Sequence, residues 1–312
     1  MQAVTNKITP IIKYIPRVRI YEMFMRDGLQ SLNKVYPLET KIMFMNELNK
    51  CNFDCIEFGS TTSPKLLPQM ENSFELFSNF SKINNTKYTM LVPGITQIQK
   101  TIDTGVNSFG IVCSISDTFA HKNLKKKSID TFNNVSEQLK IITNTPNPHI
   151  RVYLSCSFGS PWENFDKDYL KILENYTNKL LEFAKEKNIS SHNFDIVISD
   201  TVGLSDEIRT DEIIKMINYN FNSSNKEYIA MHIHSSGDKF KNLINTCVDN
   251  NICKFDSSML GIGGCPFAED EALGNISTVK LIEFLKTTGY CNNYDLNKLK
   301  RCEFNLKRLL EQ

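Results

Sequence analysis

Eight short runs rich in β-branched and aromatic residues, each followed by a longer amphipathic stretch, constrain this chain more than any other feature. The runs are RIYEMF (19–24), CIEFGS (55–60), KYTMLV (87–92), SFGIVCSI (108–115), IRVYLSCSF (150–158), FDIVISDT (194–201), YIAMHIHS (228–235) and KFDSSMLG (254–261). Segments such as LETKIMFMNELNK, DYLKILENYTNKLLEFAKEK and STVKLIEFLKTTG carry the helical pattern between them. Eight strand-then-helix units are the number that closes a parallel barrel, so the spacing predicts an α/β fold of the (β/α)8 TIM-barrel type. An open, doubly wound sheet uses the same local units, but calls for fewer strands and a glycine-rich phosphate turn after the first. Here the first strand runs into Arg26-Asp27-Gly28 instead. The 312 residues, 41% of them hydrophobic, suffice for one large core, and no Ser/Pro/Gly-rich linker divides them. We expect a single domain: a short arm over 1–17, the barrel over about 18–289, and a C-terminal helical segment over 290–312.

Charge and cysteine usage narrow the function classes. Lys+Arg at 36 against Asp+Glu at 35 argues against a nucleic-acid or membrane-surface partner. Nine cysteines at irregular spacing, with no CxxC pair, suit reduced thiols better than a disulfide framework. The first twenty residues lack the apolar run of a targeting peptide, and no run approaches the length that spans a bilayer. The expected location is the cytoplasm.

In a parallel barrel the chemistry sits at the C-terminal ends of the strands and in the loops that follow them. The unusual polar residues fall there: Arg26, Asp27 and Gln30 after strand 1, Glu57 and Ser60 in strand 2, Asp200 and Thr201 ending strand 6, His232 and His234 in strand 7, and Cys265 and Asn275 after strand 8. His232-Ile-His234 is the sharpest local signal, because strand residues i and i+2 project to the same side. Two imidazoles there can bind one ion, with Asp27 and Asn275 as oxygen donors. Such a mixed set suits Mg²⁺ or Mn²⁺, whereas zinc more usually recruits cysteine or a third histidine. The alternative is one packed and one surface histidine. Cys265 lies in a glycine-rich turn, where a thiol can donate a proton to a carbanion or simply fill space. Arg26 can hold an enolate oxygen or form an ordinary ion pair, and Glu57 and Asp200 can orient ligands or pair with a cation at the mouth. The basic run over 121–127, expected to open the fourth helix, can attract phosphates or merely be solvated.

Together, MRDGLQS (25–31), DCIEFGSTTSPKLLPQM (54–70), SDTFAHKN (116–123), ISDTVGL (198–204), MHIH (231–234), FDSSMLGIGGCPFA (255–268) and Gly274-Asn275 resemble the 3-hydroxy-3-methylglutaryl-CoA lyase family. The resemblance implies a divalent metal, Mg²⁺ or Mn²⁺, held by Asp27, His232, His234 and Asn275. It implies catalytic roles for Arg26, Asp27, Asp200 and Cys265, and a substrate pocket with Gln30, Lys34, Glu57, Ser60 and Thr201. The implied reaction is a retro-Claisen-type cleavage: the C3 hydroxyl moves towards alkoxide, the C2–C3 bond breaks, acetoacetate leaves, and the acetyl-CoA enolate is held by Arg26 and protonated by Cys265. The implied partner is an acyl-CoA thioester, and the assembly considered is a homodimer. Three departures bear on CoA contacts and acyl specificity: Ser235-Ser236-Gly237 after the histidines, Asn33 with Lys34 in place of a single lysine, and Glu269-Asp270-Glu271 in a longer cysteine loop. Rival readings are a condensing synthase of citramalate or homocitrate type, a pyruvate aldolase, and a non-catalytic thioester-binding homologue. A synthase typically shows glutamate where Leu29 stands and lacks Gly-Gly-Cys-Pro.

Overall fold

A computed structural model describes residues 17–235, 237–264, 273–290 and 293–312; Cys265 and the acidic residues 269–271 lie outside them. All eight expected strands are present: β1 (Arg19–Glu22), β2 (Cys55–Ser60), β3 (Lys87–Leu91), β4 (Ser108–Ser114), β5 (His149–Ser155), β6 (Phe194–Asp200), β7 (Ile229–Ile233) and β8 (Lys254–Ser257). Each pairs in parallel with its neighbours in sequence, and β1 pairs with β8, closing the barrel. Residues on the outer face of the sheet, such as Ile150, Val152, Ile196, Ile198 and Ile229, are fully buried under the surrounding helices.

Helix Lys167–Glu186 shows how the sequence builds that shell. Asp166 caps it by accepting from the backbone N–H of Asp168 and Tyr169. Its buried residues, among them Tyr169, Leu173, Tyr176, Leu180 and Ala184, recur three or four apart and so form one stripe. Each such side chain contributes roughly 1.5–3 kcal/mol when removed from water. Leu180→Ala would leave a cavity and cost about 2–5 kcal/mol. Among the described residues, no helix is long and apolar enough to cross a membrane. The C-terminal segment forms helix Leu296–Leu310, which packs on Leu38–Asn49 and Thr278–Thr287.

Most strands end a few residues short of their expected runs, and two of those ends shape the mouth. The first strand stops at Glu22, whose carboxylate accepts from the N–H groups of Phe24 and Met259, and the chain then winds into a π-helical turn over Phe24–Gly28. The eighth strand stops at Ser257, not 261, because the chain turns at Met259–Gly261, with Leu260 at φ 64°. The basic run over 121–127 does not open a helix: it closes Asp117–Leu124 and ends at Lys127, which caps Ser128–Ile142.

Candidate active site and metal centre

Strand alternation decides which side chains enter the barrel. In β5, His149, Arg151 and Tyr153 point inward; in β7 and just beyond it, His232 and His234 do. The π turn after β1 carries Arg26 and Asp27 to the same level, both nearly excluded from solvent. Asn275 arrives from the other side. Its segment forms a bridge with His234, while Ser235 N–H donates to the Gly274 carbonyl and Ser258 N–H to that of Ile276. Arg26, Asp27, Tyr153, His232 and His234 line a cavity of about 240 Å³ that opens at the mouth, walled on its apolar side by Leu66, Leu67, Leu91, Pro93, Val112 and Phe119.

The histidines are arranged for a cation. His234 Nδ1 lies 2.7 Å from the Leu273 carbonyl oxygen, and His232 Nδ1 lies 3.0 Å from Asp256 Oδ2. Both partners can only accept, so both protons sit on Nδ1. The two Nε2 lone pairs then face each other at 3.0 Å. Burial, with the neighbouring His232 behind it, outweighs the pull of Asp27 and lowers the His234 pKa to about 4, so the ring is neutral at physiological pH. Donor atoms of Asp27, His232 and His234 lie within 4.8 Å of one another. Asn275 Nδ2 donates to Asp27 Oδ2 at 2.6 Å and to the Ile262 carbonyl at 3.2 Å, leaving its buried Oδ1 without a partner.

Charge points the same way. Arg26 donates from Nε to Glu57 Oε2 at 2.6 Å and from Nη1 to Asp27 Oδ1 at 2.5 Å. Burial pushes the Asp27 carboxyl up, but Arg26, both histidines and the Asn275 amide outweigh it and hold the group well below the usual carboxylate range. One cation against two carboxylates leaves this buried layer one negative charge in excess. Two facing lone pairs, an orphaned amide oxygen and unbalanced negative charge are what a divalent ion satisfies. Gly263 leaves room for the arrangement: a Cβ there would fall 1.9 Å from Asn275 Nδ2 and 2.8 Å from Asp27 Oδ2.

The structure brings Arg26, Asp27, Gln30, Thr201, His232 and His234 to the cavity and Asn275 beside it. Gln30 Nε2 donates to Asp27 Oδ1 at 2.7 Å, and Thr201 Oγ1 accepts from Cys156 N–H. Four expected residues sit elsewhere. Glu57 is fully buried beneath Arg26 and accepts from the Tyr153 hydroxyl at 3.2 Å, so it holds the guanidinium instead of lining the cavity. Ser60 shares hydrogen bonds with Thr62, and the exposed Lys34 lies over the Tyr36 ring. Asp200 falls between the inward-facing Ser199 and Thr201, and accepts from the N–H groups of Leu204 and Ser205. It braces a loop and is not among the residues that line the cavity.

Sequence reasoning passed over Arg151, Asp195 and Asp256, which lie below the mouth with exposures of 0, 0 and 1%. A charged residue in the middle of a closed barrel's strand has no water to face and requires a partner, and three such residues imply a shared network.

The HMGL-like family model matches residues 17–304. The chain is 27% identical to a hydroxymethylglutaryl-CoA lyase of Bacillus subtilis over 92% of this chain and 91% of that one. It is 29% identical to the cytoplasmic 3-hydroxy-3-methylglutaryl-CoA lyase of Rattus norvegicus, over 90% of this chain and 78% of that one. Among solved structures, an HMG-CoA lyase of Brucella melitensis superposes with a TM-score of 0.83 at 25% identity, covering 95% of this chain and 99% of that chain.

Proposed function

The chain belongs to the HMGL-like family, and from that premise we propose that it is a carbon–carbon lyase that cleaves 3-hydroxy-3-methylglutaryl-CoA to acetyl-CoA and acetoacetate. The observation that carries the reading is the pair of imidazole Nε2 atoms 3.0 Å apart beside Asp27 and the unpartnered Asn275 Oδ1. The mixed nitrogen and oxygen donors favour Mg²⁺ or Mn²⁺, which Asp27, His232, His234 and Asn275 would hold. When bound, such an ion supplies Lewis acidity and a template that orients the hydroxyl-bearing end of the substrate.

The chain's own groups do the rest. Glu57 and Asp27 fix the Arg26 guanidinium through three of its five donors, leaving two for the thioester oxygen. As the C3 hydroxyl gives its proton to solvent at the open mouth and becomes the acetoacetate ketone, the C2–C3 bond breaks and its electron pair passes to the acetyl-CoA enolate, whose charge on the thioester oxygen Arg26 stabilises. Cys265 is the proton donor to the enolate carbon in this reading, on the strength of its place in the family's glycine loop. Gln30 and Thr201 offer hydrogen bonds along the acyl chain. A cytoplasmic location belongs to the same reading, supported by the irregular spacing of the nine cysteines and the lack of a CxxC pair.

Purified protein is incubated with Mg²⁺ or Mn²⁺ and 3-hydroxy-3-methylglutaryl-CoA, and products are identified by mass spectrometry. Equimolar acetyl-CoA and acetoacetate are expected. An untouched thioester, with citramalate- or homocitrate-type condensation or pyruvate release from other substrates, overturns the assignment.

A further inference from the structure

Below the mouth lies a second layer of buried charge that touches the metal centre at one point. Arg151 is fully buried, with its guanidinium carbon 4.1 Å from the centre of the Tyr21 ring and 5.3 Å from that of Tyr153. Its Nη2 donates to Asp256 Oδ1 at 2.5 Å. That contact takes one carboxylate oxygen and leaves the other, Oδ2, 3.0 Å from His232 Nδ1. The edge of Tyr153 closes on the same imidazole, with ring centres 5.9 Å apart and planes at 86°. We infer that Arg151 and Asp256 are positioning residues that fix His232 as a metal ligand through Nε2. The inference rests on the reading above that His232 and His234 hold a divalent ion.

Three observations carry it. A carboxylate can only accept, so Asp256 Oδ2 keeps the His232 proton on Nδ1 and aims the Nε2 lone pair at His234 and Asp27. Asp256 has little freedom to do otherwise, because it is buried and its other oxygen is held by an arginine confined between two aromatic rings. Arg151 also gives up bonding of its own: Nε and Nη1 are buried without a hydrogen-bond partner, and Asp195 stays 3.8 Å away. A pair present for stability alone would use those donors, since each unmet group costs about 1–3 kcal/mol. His234 is oriented differently, by the Leu273 backbone carbonyl in the loop after β8. One ligand is therefore set by the rigid barrel interior and the other by the mouth.

Two measurements on the full-length protein test this without relying on turnover. Long-range ¹H–¹⁵N spectra of the five histidines in metal-free wild type report each tautomer. His232 is expected with its proton on Nδ1, and a proton on Nε2 would overturn the inference. Mn²⁺ affinity, read by electron paramagnetic resonance, is expected to weaken about 10–100-fold in Asp256→Asn and in Arg151→Met/Asp256→Asn. The double variant removes both charges together, so no buried ion is stranded if the single variant fails to fold. Unchanged Mn²⁺ affinity in either folded variant also overturns it, and if neither folds the tautomer decides. Wild type that binds Mn²⁺ but leaves the thioester intact would sink the lyase assignment and leave this inference standing; wild type that binds no Mn²⁺ would sink the metal reading itself.

Discussion

The floor and the mouth of this barrel use the same kinds of side chain, yet only the floor closes its charges on themselves. At the floor, Lys254 Nζ donates to Asp195 Oδ1 at 2.6 Å and Arg151 to Asp256 Oδ1 at 2.5 Å, two cations against two carboxylates. His149 bridges from Asp195 to Ser108, and Thr89 and Cys55 extend the chain of hydrogen bonds across the interior. Burial lowers the His149 pKa to about 3, so the ring stays neutral and the balance holds. At the mouth, Arg26 faces two carboxylates, two imidazole nitrogens face each other, and Asn275 Oδ1 has no partner. The comparison separates structural polarity from functional polarity by charge balance, not by burial. The floor balances its charges even though Arg151 Nε and Nη1 stay without a hydrogen-bond partner, and the mouth is balanced only by what it binds.

The largest expected effect follows from supplying or withholding that partner. Exhaustive chelation should abolish turnover, and Mg²⁺ or Mn²⁺ should restore it. His234→Ala should weaken metal binding strongly while the urea midpoint of the metal-free protein stays close to wild type, because the residue adds little to the core. Full turnover in a metal-free sample would break the comparison at its centre. Cys265→Ser sharpens it next. Serine nearly matches the thiol in size but is a far weaker acid, so turnover should fall by roughly 10² to 10⁴ with metal affinity retained. Stopped-flow turnover beside Mn²⁺ titration checks this, and near-normal turnover would reduce Cys265 to packing.

The floor should respond in the opposite way. Lys254→Met strands the Asp195 carboxylate in a site with no water, and losing one partner of a buried pair costs about 3–5 kcal/mol. Urea denaturation should show that loss, with Mn²⁺ affinity unchanged in the surviving folded protein. A weakened metal site without a stability loss would mean that the two regions are not separable. Arg26→Lys returns to the mouth: an ammonium cannot span Glu57 and Asp27 and still present a fork to the substrate. A fall in kcat of about 10² with a smaller change in KM is expected. A rise in KM with kcat intact would make Arg26 a binding residue only.

The same contrast explains what the sequence made legible. The strands could be read because most are short runs rich in β-branched and aromatic residues bounded by polar turns, and eight of them leave a closed barrel as the simple arrangement. Arg26, Asp27, His232, His234 and Asn275 stood out as polar residues at strand ends, where the fold puts its chemistry. Glu57 and Asp200 were visible as polar but not as to direction, because one residue of register decides whether a carboxylate meets the cavity, a neighbouring guanidinium or a loop. Arg151, Asp195 and Asp256 were hidden for a related reason. A lone charge in a strand reads as ordinary solvent-facing alternation until closure of the barrel removes solvent from both faces.

The smallest expected effect comes from Glu22, which ties together the two turns that build the mouth. Its Oε1 accepts from Phe24 N–H, leading to Arg26 and Asp27, and from Met259 N–H, leading to the glycine loop; its Oε2 accepts from the Thr278 hydroxyl. Complete burial outweighs those three hydrogen bonds and raises its pKa from 4.5 to about 7. A carboxyl whose folded pKa is raised contributes stability that is fully present below the unfolded value and is lost as pH rises through the folded one. Stability associated with Glu22 should therefore decline from about pH 4.5 to about pH 7 and stay lost above it. Glu22→Gln mimics the protonated form: its carbonyl keeps both backbone N–H groups, and its amide can donate to Thr278, whose hydroxyl then turns to Ser257. The variant should match wild type near pH 5 and exceed it near pH 8 by on the order of 2 kcal/mol, a few degrees in Tm. Thermal melts of both proteins across pH 5 to 8 check this. A difference that does not change with pH would mean that Glu22 is ionised throughout and belongs with the self-satisfied charges of the floor.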